Sequence, residues 1–195
     1  MNQPRCQNAF TLIEMLTVIA IIAILAGLLF PAIRGAITKG KVAQANADVR
    51  AIEAAIRQYY TEYGKLPVTD ADQGVSDKFY GPSSGTDKMR DIIDVLRANA
   101  TGVNANNVLN PRRIVFYEPP SRKGAVGDSN DRSIYDPWGE PYRIKLDNNY
   151  DGQIEYYSSS CGGDQRTVAV VISFGPNKNQ DNPCTSGSDE IVSFR

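Results

Sequence analysis

A chain of 195 residues accommodates one ordinary domain with an appendage and is too short for a multidomain enzyme. With 42% hydrophobic and 22% charged residues and a formal net charge of -1, neither a disordered chain nor a strongly basic nucleic-acid binder is expected. The sequence contains no histidine, which excludes Ser-His, Cys-His and zinc-histidine chemistry within the chain, so a non-enzyme is expected.

Hydrophobicity is concentrated at one end. Of the 24 residues from Phe10 to Ile33, 19 are apolar, and Met15 to Ile33 carry no charge over 19 positions. At about 1.5 Å per residue this stretch approaches the hydrocarbon thickness of a bilayer. A cleaved secretory signal would want a more basic start than the single Arg5, a shorter apolar stretch and a small-residue cleavage site beyond it. Glu14 fits that reading poorly, because a carboxylate at the head of an apolar helix normally has a specific partner.

Ala9-Phe10-Thr11-Leu12-Ile13-Glu14-Met15-Leu16, followed by the apolar run and Pro31, resembles the class III signal of type IV pilins and type II secretion pseudopilins. The resemblance implies that a prepilin peptidase cuts between Ala9 and Phe10 and methylates the new N-terminus, with the apolar segment retained. Ala9 replaces the usual glycine, and Arg5 is the only basic residue of the leader. Cleavage before Phe10 creates a positive α-amine at a helix start whose dipole adds partial positive charge. In a bundle of parallel helices the Glu14 carboxylate of one subunit then neutralises the amine of the next, and Glu14 is expected to serve assembly rather than folding.

The resulting division is a leader over 1–9, a transmembrane and filament-core helix over 10–33, its amphipathic continuation over 34–64 and a globular domain over 65–195. Arg34, Lys39 and Lys41 follow the apolar segment, and a simple positive-inside count would keep the large domain in the cytoplasm. The resemblance and the cysteine pattern favour instead a single-pass bacterial inner-membrane protein with a periplasmic C-terminal domain.

Helical periodicity continues past the membrane segment. Ile33, Ile37, Val49, Ile52, Ile56, Tyr59 and Tyr63 recur at steps of three and four, with Arg50, Glu53, Arg57 and Glu62 opposite. Gly64 and Pro67 supply the stop. Pro31 crowds the carbonyl of Gly27, so this pair marks either a kink in a membrane helix or a segment able to extend on filament packing.

In the exposed domain, Thr86 is expected to cap a helix over 87–97 with Met89, Ile92, Ile93 and Leu96 inward. A short strand is expected over 114–117 and a polar loop over 121–132, followed by strands over 142–146, 153–158 and 168–174 and an edge strand over 191–194. The expected fold class is α+β: a long N-terminal helix packed on a small antiparallel β-sheet, the pilin fold. Asp136-Pro137-Trp138-Gly139-Glu140-Pro141-Tyr142 resembles the signature of type II secretion major pseudopilins of the G type, and by itself reads as a rigid turn with Trp138 covering the core edge. The resemblance is close over 9–67 and 135–152 and slight over 70–133, read as a variable insertion before a sheet within 135–195.

Two segments are candidates for calcium. The loop 175–190 lies where the resemblance places calcium in major pseudopilins, with Asp181, Asp189 and Glu190 as ligands or, alternatively, as part of a solvated loop. Asp147, Asn149 and Asp151, followed by Gly152, match the opening of an EF-hand loop, but the twelfth position is Ser158, and a hairpin turn explains the same residues without metal. Cys6 lies in the leader, leaving Cys161 and Cys184, whose spacing fits an extracytoplasmic disulfide better than a metal site; free buried thiols are the alternative.

The function implied is a structural subunit of a type II secretion pseudopilus. It would polymerise with identical subunits in a helical filament, served by the prepilin peptidase, an inner-membrane assembly platform and minor pseudopilins, after residence in membrane lipid and without nucleic acid. A type IV pilin for adhesion, motility or DNA uptake is the alternative within the class. A membrane-anchored binding module that never polymerises is the alternative outside it.

Overall fold

The computed structural model describes residues 11–81, 88–121, 124, 132–154, 165–179 and 188–194. The chain divides into two compact units, Met1–Gly40 and Lys41–Arg195. Helix α1, Leu12–Tyr63, is assigned as helix through Gly27 and Pro31. In the first unit it carries the apolar run. Leu12, Ile19, Leu28 and Phe30 are all exposed, as is every other large apolar residue of this stretch.

In the second unit, α1 buries one stripe. Ala45, Val49, Ile52, Ile56 and Tyr59 follow one another at steps of four and three and are fully buried. That spacing places them on one face of a 3.6-residue helix, while Arg50, Arg57 and Glu62 stay exposed. Gly64 ends the helix in a left-handed conformation, φ +66°, its N–H donating to the Tyr60 carbonyl at 2.8 Å. Glycine takes this conformation without a Cβ clash.

The stripe packs on a four-stranded antiparallel sheet of β1 (Lys78–Tyr80), β2 (Arg143–Leu146), β3 (Ala169–Ser173) and β4 (Ile191–Val192), in spatial order β1-β2-β3-β4. Ile144 pairs with Val171 and Leu146 with Ala169, so these four side chains share the face turned to the core. One residue out of step, Val170 and Ile172 face the other way and gather with Ile154, Phe174 and Val192 in a second buried cluster. β3 is therefore buried throughout, apolar as far as Ile172 and closed by Ser173, without the alternation of a half-exposed strand. Arg143 and Lys145 share that second face, the Arg143 guanidinium lying 4.4 Å from the centroid of the Phe174 ring.

Several expectations are revised. The short helix α2 spans Met89–Leu96 and starts after Lys88, whose extended backbone bridges in parallel to Gly81. Met89 N–H donates to the Gly81 carbonyl at 2.8 Å, so backbone takes the role assigned to a Thr86 cap, and Thr86 lies outside the described residues. Met89, Ile92, Ile93 and Leu96 are buried as expected, with Val95.

The strand expected over 114–117 does not form. The Asn110 side chain takes both backbone groups of Ile114, accepting from its N–H at 3.1 Å and donating to its carbonyl at 2.8 Å. Phe116 and Tyr117 N–H both donate to the Leu96 carbonyl. With its backbone engaged by an asparagine and a helix end, this segment has no ladder to join.

β1 falls in the segment read as a variable insertion, at a position where no element was expected. Segment 70–133 supplies an edge strand as well as α2 and Tyr117 to the main core. Of the strand expected over 153–158, only the first two residues are described, and Ile154 forms an isolated antiparallel bridge with Gln165. The edge strand expected over 191–194 is the two-residue β4.

Candidate functional site

The N-terminal end of α1 is organised by Thr11 and Glu14. Glu14 Oε2 accepts from Thr11 N–H and from Thr11 Oγ1, each at 2.7 Å, and Thr11 Oγ1 accepts from Glu14 N–H at 3.3 Å. This is a reciprocal capping box, in which a threonine at the cap and a glutamate three residues on satisfy each other's free amides. It starts the helix at the same carboxylate that the motif assigns to assembly. Beyond it, 22 residues from Leu12 to Ile33 offer an apolar helical surface long enough to cross a membrane. Ala9 and Phe10 lie outside the described residues, and of Pro31 only the backbone is described.

The signature turn is a closed polar knot. Asp136 is 3% exposed; its Oδ1 accepts from Trp138 and Glu140 N–H, both at 2.9 Å, and its Oδ2 accepts from Ser173 Oγ at 2.7 Å. Gly139, at φ +85°, makes the reversal, and Asp136 N–H donates to the Glu140 carbonyl at 2.8 Å. Trp138 packs partly buried on the main core. The turn thus delivers Tyr142 into the core, where its hydroxyl donates to Asp48 Oδ2 on α1 at 2.8 Å.

The two calcium candidates differ. Around Asp147 the loop uses its own oxygens: Asp147 accepts from Asp151 N–H at 3.2 Å and Gly152 N–H at 2.9 Å, Asn149 Oδ1 accepts from Asp151 N–H, and Asp151 Oδ1 accepts from Gln153 N–H. These are the bonds of a tight Asx-stabilised turn rather than of the expected hairpin, since Ile154 beyond it bridges to Gln165 and not back to β2. Burial, opposed by the Gly152 amide and reinforced by the Asp151 charge, pushes the Asp147 carboxyl up.

At the second candidate, Asp189 Oδ2 accepts from Asn177 N–H at 2.9 Å. Asp189 Oδ1 is buried without a hydrogen-bond partner. Glu190 beside it is 5% exposed. Lys178, in the same loop, pairs with Glu140 of the signature turn at 3.1 Å. Asp189 therefore fits a hard cation by chemistry, one oxygen being desolvated and short of a donor. Among the described residues no group of three or more acidic or cysteine side chains is assembled for a metal. Asp181, Cys161 and Cys184 lie outside the described residues.

Two structural sites were not legible as motifs. Asn110 is fully buried and makes every bond its amide allows, accepting also from Tyr63 Oη at 2.7 Å and donating to the Val95 carbonyl at 2.9 Å. Asp94, 1% exposed, pairs with Arg132 at 3.0 Å and accepts from Asn99 Nδ2 and Thr101 Oγ1. An asparagine or aspartate inside a polar segment gives no periodic signal, although the clustering of Asn99, Asn104 and Asn110 around an apolar helix was a cue.

The amphipathic part of α1, packed on a small antiparallel sheet, gives an α+β, pilin-like layout. Residues 4–30 match the prokaryotic N-terminal methylation motif, and residues 36–92 match the C-terminal domain of PilW. The chain is similar to the type II secretion system core protein G of Aeromonas hydrophila, 27% identical over 85% of this chain and 90% of that protein. It is 39% identical to core protein G of Pseudomonas aeruginosa over 34% of this chain and 47% of that protein. A type IV major pilin protein PilE1 of Neisseria gonorrhoeae is 31% identical over 50% of this chain, which spans 56% of that pilin. No solved structure matches the chain.

Proposed function

We propose that this chain is a structural subunit of a type II secretion pseudopilus. It is anchored by a single apolar span and polymerises through that span, without enzymatic activity. The observation that carries this reading is the similarity to core protein G along nine tenths of that protein's length, joined to the signature turn that seats Tyr142 against α1. The capped Glu14 at the head of an exposed apolar helix supports assembly through the span. A charged group there is tolerated where a neighbour's amine answers it.

In this reading the prepilin peptidase cuts between Ala9 and Phe10, the domain from 65 onward faces the periplasm, and an assembly platform and minor pseudopilins build the fibre from identical copies. Asp181, Asp189 and Glu190 would hold a calcium ion, which would neutralise their charge and fix the loop 175–190. Asp189 Oδ1, buried without a hydrogen bond, supports that assignment. A disulfide between Cys161 and Cys184 would tie the loop to the sheet.

N-terminal sequencing of membrane-extracted protein tests the whole scheme: a methylated phenylalanine at the position of Phe10 is expected, and a start downstream of Ile33 overturns it. The pilin relatives, including PilE1, favour a second reading as a surface pilus subunit. Filaments released by shearing wild-type cells at native expression would select that reading.

A further inference from the structure

The sequence from Met15 to Ala47 contains no carboxylate, yet three cations stand within it after the apolar run: Lys41, half-buried at the start of the second unit, and before it Arg34 and Lys39. Arg34 and Lys39 are exposed on α1, and neither is engaged by an acidic side chain among the described residues. The ordinary helical remedy, an acid three or four residues away, is absent by composition. A helix rise of about 1.5 Å per residue puts the two cations about 7.5 Å apart along the axis and about 140° apart around it, so they ring the helix rather than line one face. Cα–Cβ bonds lean towards a helix's N-terminus, which tips both cations back over the end of the apolar surface. With the apolar run in the hydrocarbon, that is the headgroup layer holding the lipid phosphates, which begins about 15 Å from the bilayer centre. Long basic side chains at this level keep their charge in the headgroup layer.

We propose that Arg34 and Lys39 form a basic collar that binds the phosphates of anionic phospholipids and gives the unassembled subunit a shell enriched in them. This rests on the reading that the apolar run lies in a bilayer. The collar would also fix insertion depth, and those lipids would have to be released when a subunit leaves the membrane.

The test uses the full chain reconstituted in phosphatidylcholine bilayers with spin-labelled phosphatidylglycerol or spin-labelled phosphatidylcholine as probe. A motionally restricted lipid component from both probes is expected, with about threefold preference for phosphatidylglycerol that falls towards unity in high salt and in Arg34→Gln/Lys39→Gln. No restricted component from either probe would remove the bilayer reading itself. A restricted component with equal affinity for the two lipids, or a preference unchanged in the double variant, would leave the span in the membrane and overturn the collar. A preference confined to cross-linked oligomers would assign the cations to a neighbouring copy and would equally overturn it.

Discussion

Tyr142 and Asp48, 94 residues apart in sequence, meet in the buried core, the phenol donating to the carboxylate at 2.8 Å. Tyr142 is fully buried and Asp48 is 7% exposed. The bond fastens the end of the signature turn to the amphipathic part of α1. A hydrogen bond to a buried charged group is worth about 1.5–3 kcal/mol, so Tyr142→Phe is expected to lower unfolding stability by that amount while leaving the fold intact. Urea denaturation followed by circular dichroism in detergent checks it, and a loss within error of zero would show that Asp48 is satisfied without the phenol.

Glu14 closes the capping box with Thr11, and its carboxylate is the group proposed to serve assembly. Glu14→Ala is expected to insert in the membrane normally but to stay out of filaments. Thr11→Ser, which keeps the hydroxyl that pairs with Glu14, is expected to assemble as wild type. Cross-linking through cysteines engineered in the apolar run, scored against membrane content, measures both. Normal incorporation of Glu14→Ala would refute the role in assembly.

Asn110 holds α1, α2 and the segment after it through one side chain. Asn110→Ala strands buried carbonyls and an amide at once, and each unsatisfied buried group costs about 1–3 kcal/mol. A loss of at least about 2 kcal/mol is expected by the same urea assay, with faster hydrogen exchange at the amides of Ile114 and Phe116.

Asp77 gives a pH signature. One of its oxygens is buried without a hydrogen-bond partner, and burial first, then the neighbouring Asp147 charge, pushes its carboxyl up. A carboxyl raised on folding binds its proton more tightly in the native state. Its contribution is therefore fully favourable below the ordinary aspartate value of about 4 and is lost as pH rises through the raised value. Asp77→Asn is expected to match wild type near pH 3 and to be the more stable protein at pH 7. Thermal unfolding across that range reads the difference, and a gap that narrows with rising pH would contradict the sign.

Gly175 turns the chain at φ +73°, and a Cβ there would strike the Asp189 backbone carbonyl. Gly175→Ala meets both a left-handed backbone and a backbone obstacle that cannot rotate away. It is expected to destabilise the domain and to displace Asp189, whereas Gly152→Ala, at a similar φ but facing open space, is expected to cost only about 1 kcal/mol.

The sequence by itself determined the long helix, its buried stripe and the fold class, because a 3.6-residue period and an uncharged run are one-dimensional patterns set by local backbone geometry and by solvent. It also marked the signature turn, where proline and glycine restrict the backbone directly, and placed β2, β3 and β4 to within a residue or two. Only the tertiary structure decided that 114–117 is held by Asn110 rather than paired in a sheet, that β1 lies in the segment read as an insertion, and that a backbone carbonyl starts α2. Each of these turns on which distant group satisfies a buried amide or carbonyl. Such partners are chosen by chain topology, and neither propensity nor spacing along the sequence records them. The contrast between the two calcium candidates has the same origin: Asp147 and Asp189 are alike in sequence, but one is saturated by its own loop and the other keeps a buried oxygen without a donor.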